Sequence, residues 1–198
     1  MVLCILKHII YTSFERINET ETSPIAFLAK SHIDTDNAIK ASGMNYTILR
    51  NNLYLDVLPM FLGEQVLESG IYFPAGEGQA AYVSRNDLAE VAANVLTSEG
   101  HENKEYKMNN IENYSMKKIA ETLSEITNKT VSYFSPTSEE YKETLKNAGV
   151  PNEYIDMFIG FAEAIKQGEF TIETTDLEKL LGRKPTSLSD FLKQVYLK

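Results

Sequence analysis

Two apolar runs flank one long helical stretch near the start of the chain, and that order leaves few folds open. Residues 2–12 (VLCILKHIIYT) are nearly continuously apolar, interrupted only by Lys7 and His8, and residues 46–49 (YTIL) are β-branched and aromatic. Runs of this kind are strands covered on both faces, as in parallel sheets. Between them, residues 23–43 read as a helix. Ser23 offers its hydroxyl to the free N–H groups of the first turn, Pro24 stands where no N–H is needed, and Gly43 supplies the left-handed stop. A strand, a crossover helix and a second parallel strand form a right-handed βαβ unit. The expected class is α/β. Two parallel strands cannot cover both of their faces, so further sheet partners are expected ahead of residue 2.

In open α/β sheets ligands lie in the crevice beyond the carboxyl ends of the strands. Arg50, Asn51, Asn52 and Tyr54 follow the second strand directly, and the polar loop 14–22 (FERINETET) emerges from the first. Amides and a phenol at that place suit hydrogen bonding to a carboxamide or ribose and stacking on a flat ring. On the intervening helix, Leu28, His32, Thr35 and Ile39 share one face. That stripe is half apolar, which predicts a helix facing a cleft or partner there. His32 itself reads either as a packing histidine or as a catalyst.

KHIIYTS (7–13), then SP, a helix carrying His32, and SGMNYTILRNNLYLD (42–56) resemble the NmrA-like atypical short-chain dehydrogenase/reductases, within them the NAD(P)H:quinone oxidoreductase branch. SRNDLAEVAANVL (84–96) and LEKLLGRKPTSLSDFLKQ (177–194) match later landmarks in order, so the resemblance covers essentially the whole chain. It implies the carboxyl-terminal portion of a Rossmann-like parallel sheet with a small mixed α/β substrate-side lobe. Residues 1–56 would form part of the dinucleotide-binding half. Residues 57–198 would hold the remaining sheet elements and the mostly helical lobe.

The resemblance further implies a cofactor, NADP or NAD with NADPH favoured, and a quinone-like small-molecule acceptor. Ser13, Phe14, Thr22, Asn51, Asn52, Leu53, Tyr54 and Asp56 would border the nicotinamide half, and His32 would stand near the substrate ring as the catalytic candidate. Neither G-x-x-G-x-x-G nor G-x-G-x-x-G precedes the first strand. The chain is therefore expected to be shortened at its amino end, with cofactor binding weakened or lost. Two rival readings stay open: a non-enzymic dinucleotide-sensing regulator, and an inactive fragment lacking the pyrophosphate loop.

Farther along, residues 57–69 are expected to form a helix kinked at Pro59, and residues 71–84 two short strands in a hairpin-like element around Gly76-Glu77-Gly78. Those glycines lack the helix start that a phosphate loop needs directly after it. Ser84 and Asp87 read as a capping box for a helix over 86–98, striped by Leu88, Val91, Ala92, Val95 and Leu96. A strand at 105–109, a helix over 116–127 capped by Ser115, a strand at 130–134, and helices over 138–148, 153–166, 177–181 and 186–196 complete the expectation.

Composition excludes several classes. A formal charge of −9, from 19 basic and 28 acidic residues, argues against a nucleic-acid partner, which is held mainly by clustered Lys and Arg. The single Cys4 cannot form an internal disulfide and reads as a small buried apolar residue, in keeping with a reducing cytoplasm. No apolar run approaches the roughly 18 residues of a membrane span, and no metal-ligand spacing is present. The open flank of the first strand is expected to favour self-association. None of the eleven tyrosines is expected to have Lys four residues on, the Tyr-x-x-x-Lys pair of the ordinary short-chain dehydrogenases, which excludes alcohol dehydrogenation of the usual kind. Quinone reduction survives, since it needs chiefly alignment of two flat rings.

Overall fold

A computed structural model describes residues 7–197. Strand β1 (His8–Phe14), helix α1 (Ala26–Ala41) and strand β2 (Asn45–Asn51) form the expected βαβ unit, with the strands parallel from His8 opposite Asn45 to Phe14 opposite Asn51. Strand β5 (Lys104–Met108) pairs parallel to the other edge of β2, giving the order β1-β2-β5. Phe14, Asn51 and Met108 therefore end their strands on one rim. Of the expected first strand, residues 2–6, Cys4 included, lie outside the described residues. Within them the strand runs two residues past its expected end.

The α1 helix starts later than Ser23 and Pro24 suggest. Its N-cap is Ile25, with no side-chain cap, because the Ser23 hydroxyl instead donates to Glu169 at 2.8 Å and accepts only the Ile25 N–H at 3.3 Å. Its buried stripe is Ala29, Asp36 and Ile39, with His32 half-buried, rather than one through Leu28 and Thr35. The face against the sheet is thus polar in its middle. Gly43, with φ +74°, stops the helix as expected.

Residues 57–69 do not form one kinked helix. A 3-10 turn (Leu55–Val57) leads into α2 (Leu58–Leu62), where Pro59 sits in the first turn and so costs no hydrogen bond. The break comes at Gly63, φ +80°, before α3 (Val66–Ser69). The two short strands that follow, β3 (Ile71–Tyr72) and β4 (Gln79–Ala80), do not pair as a hairpin. β3 runs parallel to β7 (Tyr133–Phe134), and β4 antiparallel to β6 (Tyr114–Ser115). Two-residue strands carry too little local signal to choose partners; tertiary packing chooses them.

Helix α4 (Arg85–Thr97) is capped by the Ser84 hydroxyl, which accepts from the Asn86 N–H. The expected box is not closed. Buried Asp87 faces away, accepting from the Thr186 N–H at 2.7 Å and from the Arg183 guanidinium at 2.8 Å, so it ties the carboxyl-terminal segment to α4. Leu88, Val91 and Val95 are buried, but Leu96 is 67% exposed. Asp87→Ala would leave the half-buried Thr186 N–H without its acceptor and should cost about 1–2 kcal/mol in urea unfolding. A loss under about 0.5 kcal/mol would show that water replaces the carboxylate there.

Helix α5 (Met116–Thr127) is capped by Ser115 as expected. Helices α6 (Ser138–Asn147) and α7 (Asn152–Lys166) follow, then α8 (Leu177–Leu181) and α9 (Leu188–Tyr196). One apolar cluster gathers Phe61, Phe73, Tyr82, Ile119, Phe158, Phe170 and Leu192; a second, with Leu49, Met108, Val91 and Leu181, lies under α4 and α8.

Candidate functional site

An apolar cavity of about 280 Å³ opens at the carboxyl rim of the sheet. Phe14 from the end of β1, Leu28 and His32 from α1, and Asn52, Leu53 and Tyr54 beyond β2 line it from one side. Met60 and Phe61 of α2 and Met157 and Phe161 of α7 line the other, with Arg85 at its edge. Aromatic rings pack in sequence through this wall and the fully buried Phe170, which does not itself line the cavity: His32 to Phe14 at 5.9 Å, Phe14 to Phe170 at 5.7 Å, Phe170 to Phe161 at 6.3 Å and Phe161 to Phe61 at 6.0 Å. Such walls suit a flat conjugated ligand, which gains offset-stacked or edge contacts over both faces.

The loop after β2 is held from both sides. The Leu55 N–H donates to the Val83 carbonyl and the Val83 N–H to the Leu53 carbonyl, which brings Arg85 next to Tyr54. The Arg85 guanidinium lies 4.7 Å from the centre of the Tyr54 ring, within cation–π reach. Its backbone N–H donates to the Asp56 carboxylate at 2.9 Å. Arg85, Met60, Phe61, Met157 and Phe161 carry no local sequence signal of a site, since their elements reach the rim only through tertiary packing.

The expected residues divide between two roles. Phe14, His32, Asn52, Leu53 and Tyr54 meet around the cavity. Asn52, however, is spent internally: its amide donates to the Phe170 carbonyl and its oxygen accepts from the Leu53 N–H. Asp56 serves the start of α4. Ser13 is turned to the α1 face, donating to Asp36 at 2.8 Å, and exposed Thr22 bonds within its own loop to Thr20 and Asn18. Neither Ser13 nor Thr22 lines the cavity. Asn51 is buried and does not line the cavity, but its amide lies 3.5 Å from the hydroxyl of Tyr54, which does, and among the described residues its oxygen Oδ1 has no hydrogen-bond partner. An unpartnered buried acceptor at that rim fits the N–H₂ group of a nicotinamide carboxamide.

His32 has a partner that sequence spacing did not reveal. The Tyr11 hydroxyl, on β1, lies 2.9 Å from His32 Nδ1. Burial holds the imidazole below its ordinary pKa; Asp36 on the same helix opposes this and Arg16 reinforces it. The ring is therefore neutral at pH 7.

A Tyr-x-x-x-Lys spacing does occur once, at Tyr114 and Lys118, contrary to the expectation that none would be found. The two do not share a helix face. Tyr114 belongs to β6 and Lys118 to the first turn of α5, and burial pushes the Tyr114 phenol up to about 12, opposite to an activated acid. Neither residue lines the apolar cavity.

Arg50, placed at the rim by the sequence, is turned away from the cavity into a polar cluster. It pairs with Glu15 at 2.7 Å and with Glu19, with Glu105 at 3.7 Å and Asp36 at 4.0 Å farther off.

The model of the NmrA-like family matches residues 5–192. Quinone oxidoreductase 2 of Escherichia coli is 30% identical over 192 residues, covering 96% of this chain and 65% of that protein. The crystal structure of the NADPH-dependent quinone oxidoreductase from that organism superposes with a TM-score of 0.86 over 96% of this chain. Citrobacter sp. triphenylmethane reductase, solved with NADP(H), gives 0.85 at 36% identity, over 96% of this chain and 65% of that one. The NAD(P)H azoreductase of Xenophilus azovorans is 26% identical over 81% of this chain and 56% of its own length. The chain thus spans under two thirds of the length of the curated relatives it matches.

Proposed function

The chain belongs to the NmrA-like family, and on that premise we propose that it serves the NAD(P)H-dependent reduction of a flat, quinone-like acceptor held in the apolar cavity. The observation that carries this reading is the cavity itself: aromatic and thioether side chains on its walls, one neutral imidazole on α1 and one cation at its edge, with no carboxylate lining it. The related proteins are named as a quinone oxidoreductase, an azoreductase and a triphenylmethane reductase. NAD(P)H, when bound, supplies the hydride. Asn51 would hold the carboxamide, Tyr54 and Phe14 would border the nicotinamide ring, and the aromatic wall would align the acceptor while excluding water.

The test is calorimetry with a naphthoquinone, NADPH and NADH, run beside quinone-dependent NADPH oxidation. Quinone binding together with quinone-dependent NADPH oxidation is the expected result. A chain that neither binds the quinone nor oxidises NADPH in its presence would sink the proposal.

A further inference from the structure

We propose that Tyr11 and His32 form a proton relay into the cavity, with Tyr11 donating to His32 Nδ1 and His32 presenting its Nε2–H to the oxygen of the reduced acceptor. This deepens the proposed function and rests on it. The two residues stand 21 positions apart, on different elements, and the 2.9 Å contact joins the back of the imidazole to β1 while its ring lines the cavity.

The direction of the hydrogen bond follows from what each group can otherwise do. A neutral imidazole has one N–H and one bare nitrogen. Among the described residues the Tyr11 hydroxyl has no other hydrogen-bond partner, so donation to Nδ1 is the arrangement that uses its proton within the protein. That fixes the tautomer: Nδ1 is the acceptor and the proton sits on Nε2. Among the described residues Nε2 has no protein partner, which leaves it for a ligand. The charged and titratable groups facing the ring are Tyr11 from β1, Asp36 on α1, Arg16 from the loop after β1, and Tyr54 and Arg85 across the cavity.

The step balances as follows. A quinone takes a hydride, two electrons and one hydrogen, from the nicotinamide and becomes a hydroquinone monoanion. Its oxyanion takes the Nε2 proton while Nδ1 takes the Tyr11 proton, so the imidazole stays neutral and the charge ends on the Tyr11 oxygen. Water then protonates the bare Nε2 and Nδ1 returns its proton to the Tyr11 oxygen, which restores the starting tautomer. The proton passes between two aromatic hydroxyls, which keeps the transfer near thermoneutral. His32 touches the acceptor and is the catalytic residue; Tyr11 acts through it.

The first measurement needs no cofactor. With three histidines in the chain, ¹⁵N NMR can assign the His32 ring. The relay requires the Nε2–H tautomer in the protein and its loss or mixing in Tyr11→Phe; an Nδ1–H tautomer in the unaltered protein would overturn the proposal even if Tyr11→Phe failed to fold. The second is turnover. Tyr11→Phe should lower quinone-dependent kcat about a hundredfold at pH 7, within the range of general acid catalysis. Activity should then rise as pH falls through the imidazole's lowered pKa, where His32⁺ carries its own proton, while the unaltered protein stays flat across that range. A merely structural Tyr11 would give no such slope. If the unaltered protein turns over and Tyr11→Phe matches it in kcat and pH profile, the relay is wrong and the reductase reading stands. If the unaltered protein shows neither quinone binding nor turnover, the reductase reading fails first, whatever the tautomer.

Discussion

Arg50→Ala is expected to lower the unfolding free energy by about 3–5 kcal/mol, the cost of removing one partner from a buried ion pair. The guanidinium is 18% exposed and stands among four carboxylates, two of which, Glu15 and Asp36, keep side-chain exposures of 10% and 8%. Alanine would leave those charges facing one another in a low-dielectric space, offset in part by Lys107, 3.6 Å from Glu15, and by Lys40, 2.7 Å from Glu105. Part of the penalty disappears on acidification, because a protonated carboxyl needs no cation. Burial raises the Asp36 pKa above its ordinary value, so Asp36 sheds its charge at a higher pH than an ordinary aspartate. The Arg50→Ala loss should therefore be greatest near pH 7 and shrink towards pH 4, around the usual carboxylate range. Arg50→Lys should recover less than half of it, since an ammonium cannot reach Glu15 and Glu19 with one planar fork. Urea unfolding at both pH values decides it. A loss below about 1 kcal/mol, independent of pH, would mean the cluster behaves as an exposed ion pair.

The same residues show how far the sequence could be read. The βαβ unit was legible because its signals are local, continuous apolar runs and a glycine stop, and so was α5, whose cap Ser115 acts within three residues. Arg50 was legible as a rim residue, but its direction was not. Side chains alternate along a strand, and Arg50 shares its face with Ser13, its register partner, so both point to α1 rather than to the cavity. Asp87 shows the reverse case. Its spacing from Ser84 matched a capping box, yet an acceptor was needed by Thr186, 99 residues on, and that long-range contact won. The Tyr11–His32 pair and Arg85 over Tyr54 depend on elements that meet only in the folded chain. The resemblance to known reductases named His32 and the Tyr54 loop, which line one cavity, but it carried no information about Tyr11.

Gly78→Ala should destabilise the protein by about 3 kcal/mol, the upper end for overpacking. A Cβ built at Gly78 would lie 2.3 Å from the Ile165 carbonyl oxygen and 2.6 Å from both the Ile165 carbonyl carbon and Lys166 Cα. These are backbone atoms of the last turns of α7, so no rotamer change relieves the clash; either the helix end or the turn before β4 must move. Gly76, two residues earlier, has φ +55° but meets only the Lys166 side chain at 3.6 Å, so Gly76→Ala should cost about 1–2 kcal/mol, the left-handed penalty alone. Gly78 therefore serves the close approach of a turn to a helix, and Gly76 the left-handed conformation of that turn. Because α7 also carries Met157 and Phe161, a shift at its carboxyl end would reach the cavity wall. Gly78→Ala should thus weaken quinone binding as well as lower the unfolding midpoint, with Gly76→Ala affecting the cavity little. Calorimetric quinone titration and thermal unfolding of the two variants test this together. Equal losses in stability, or a Gly78→Ala protein of normal stability that has lost only dinucleotide binding, would show that the helix contact is not what Gly78 is there for.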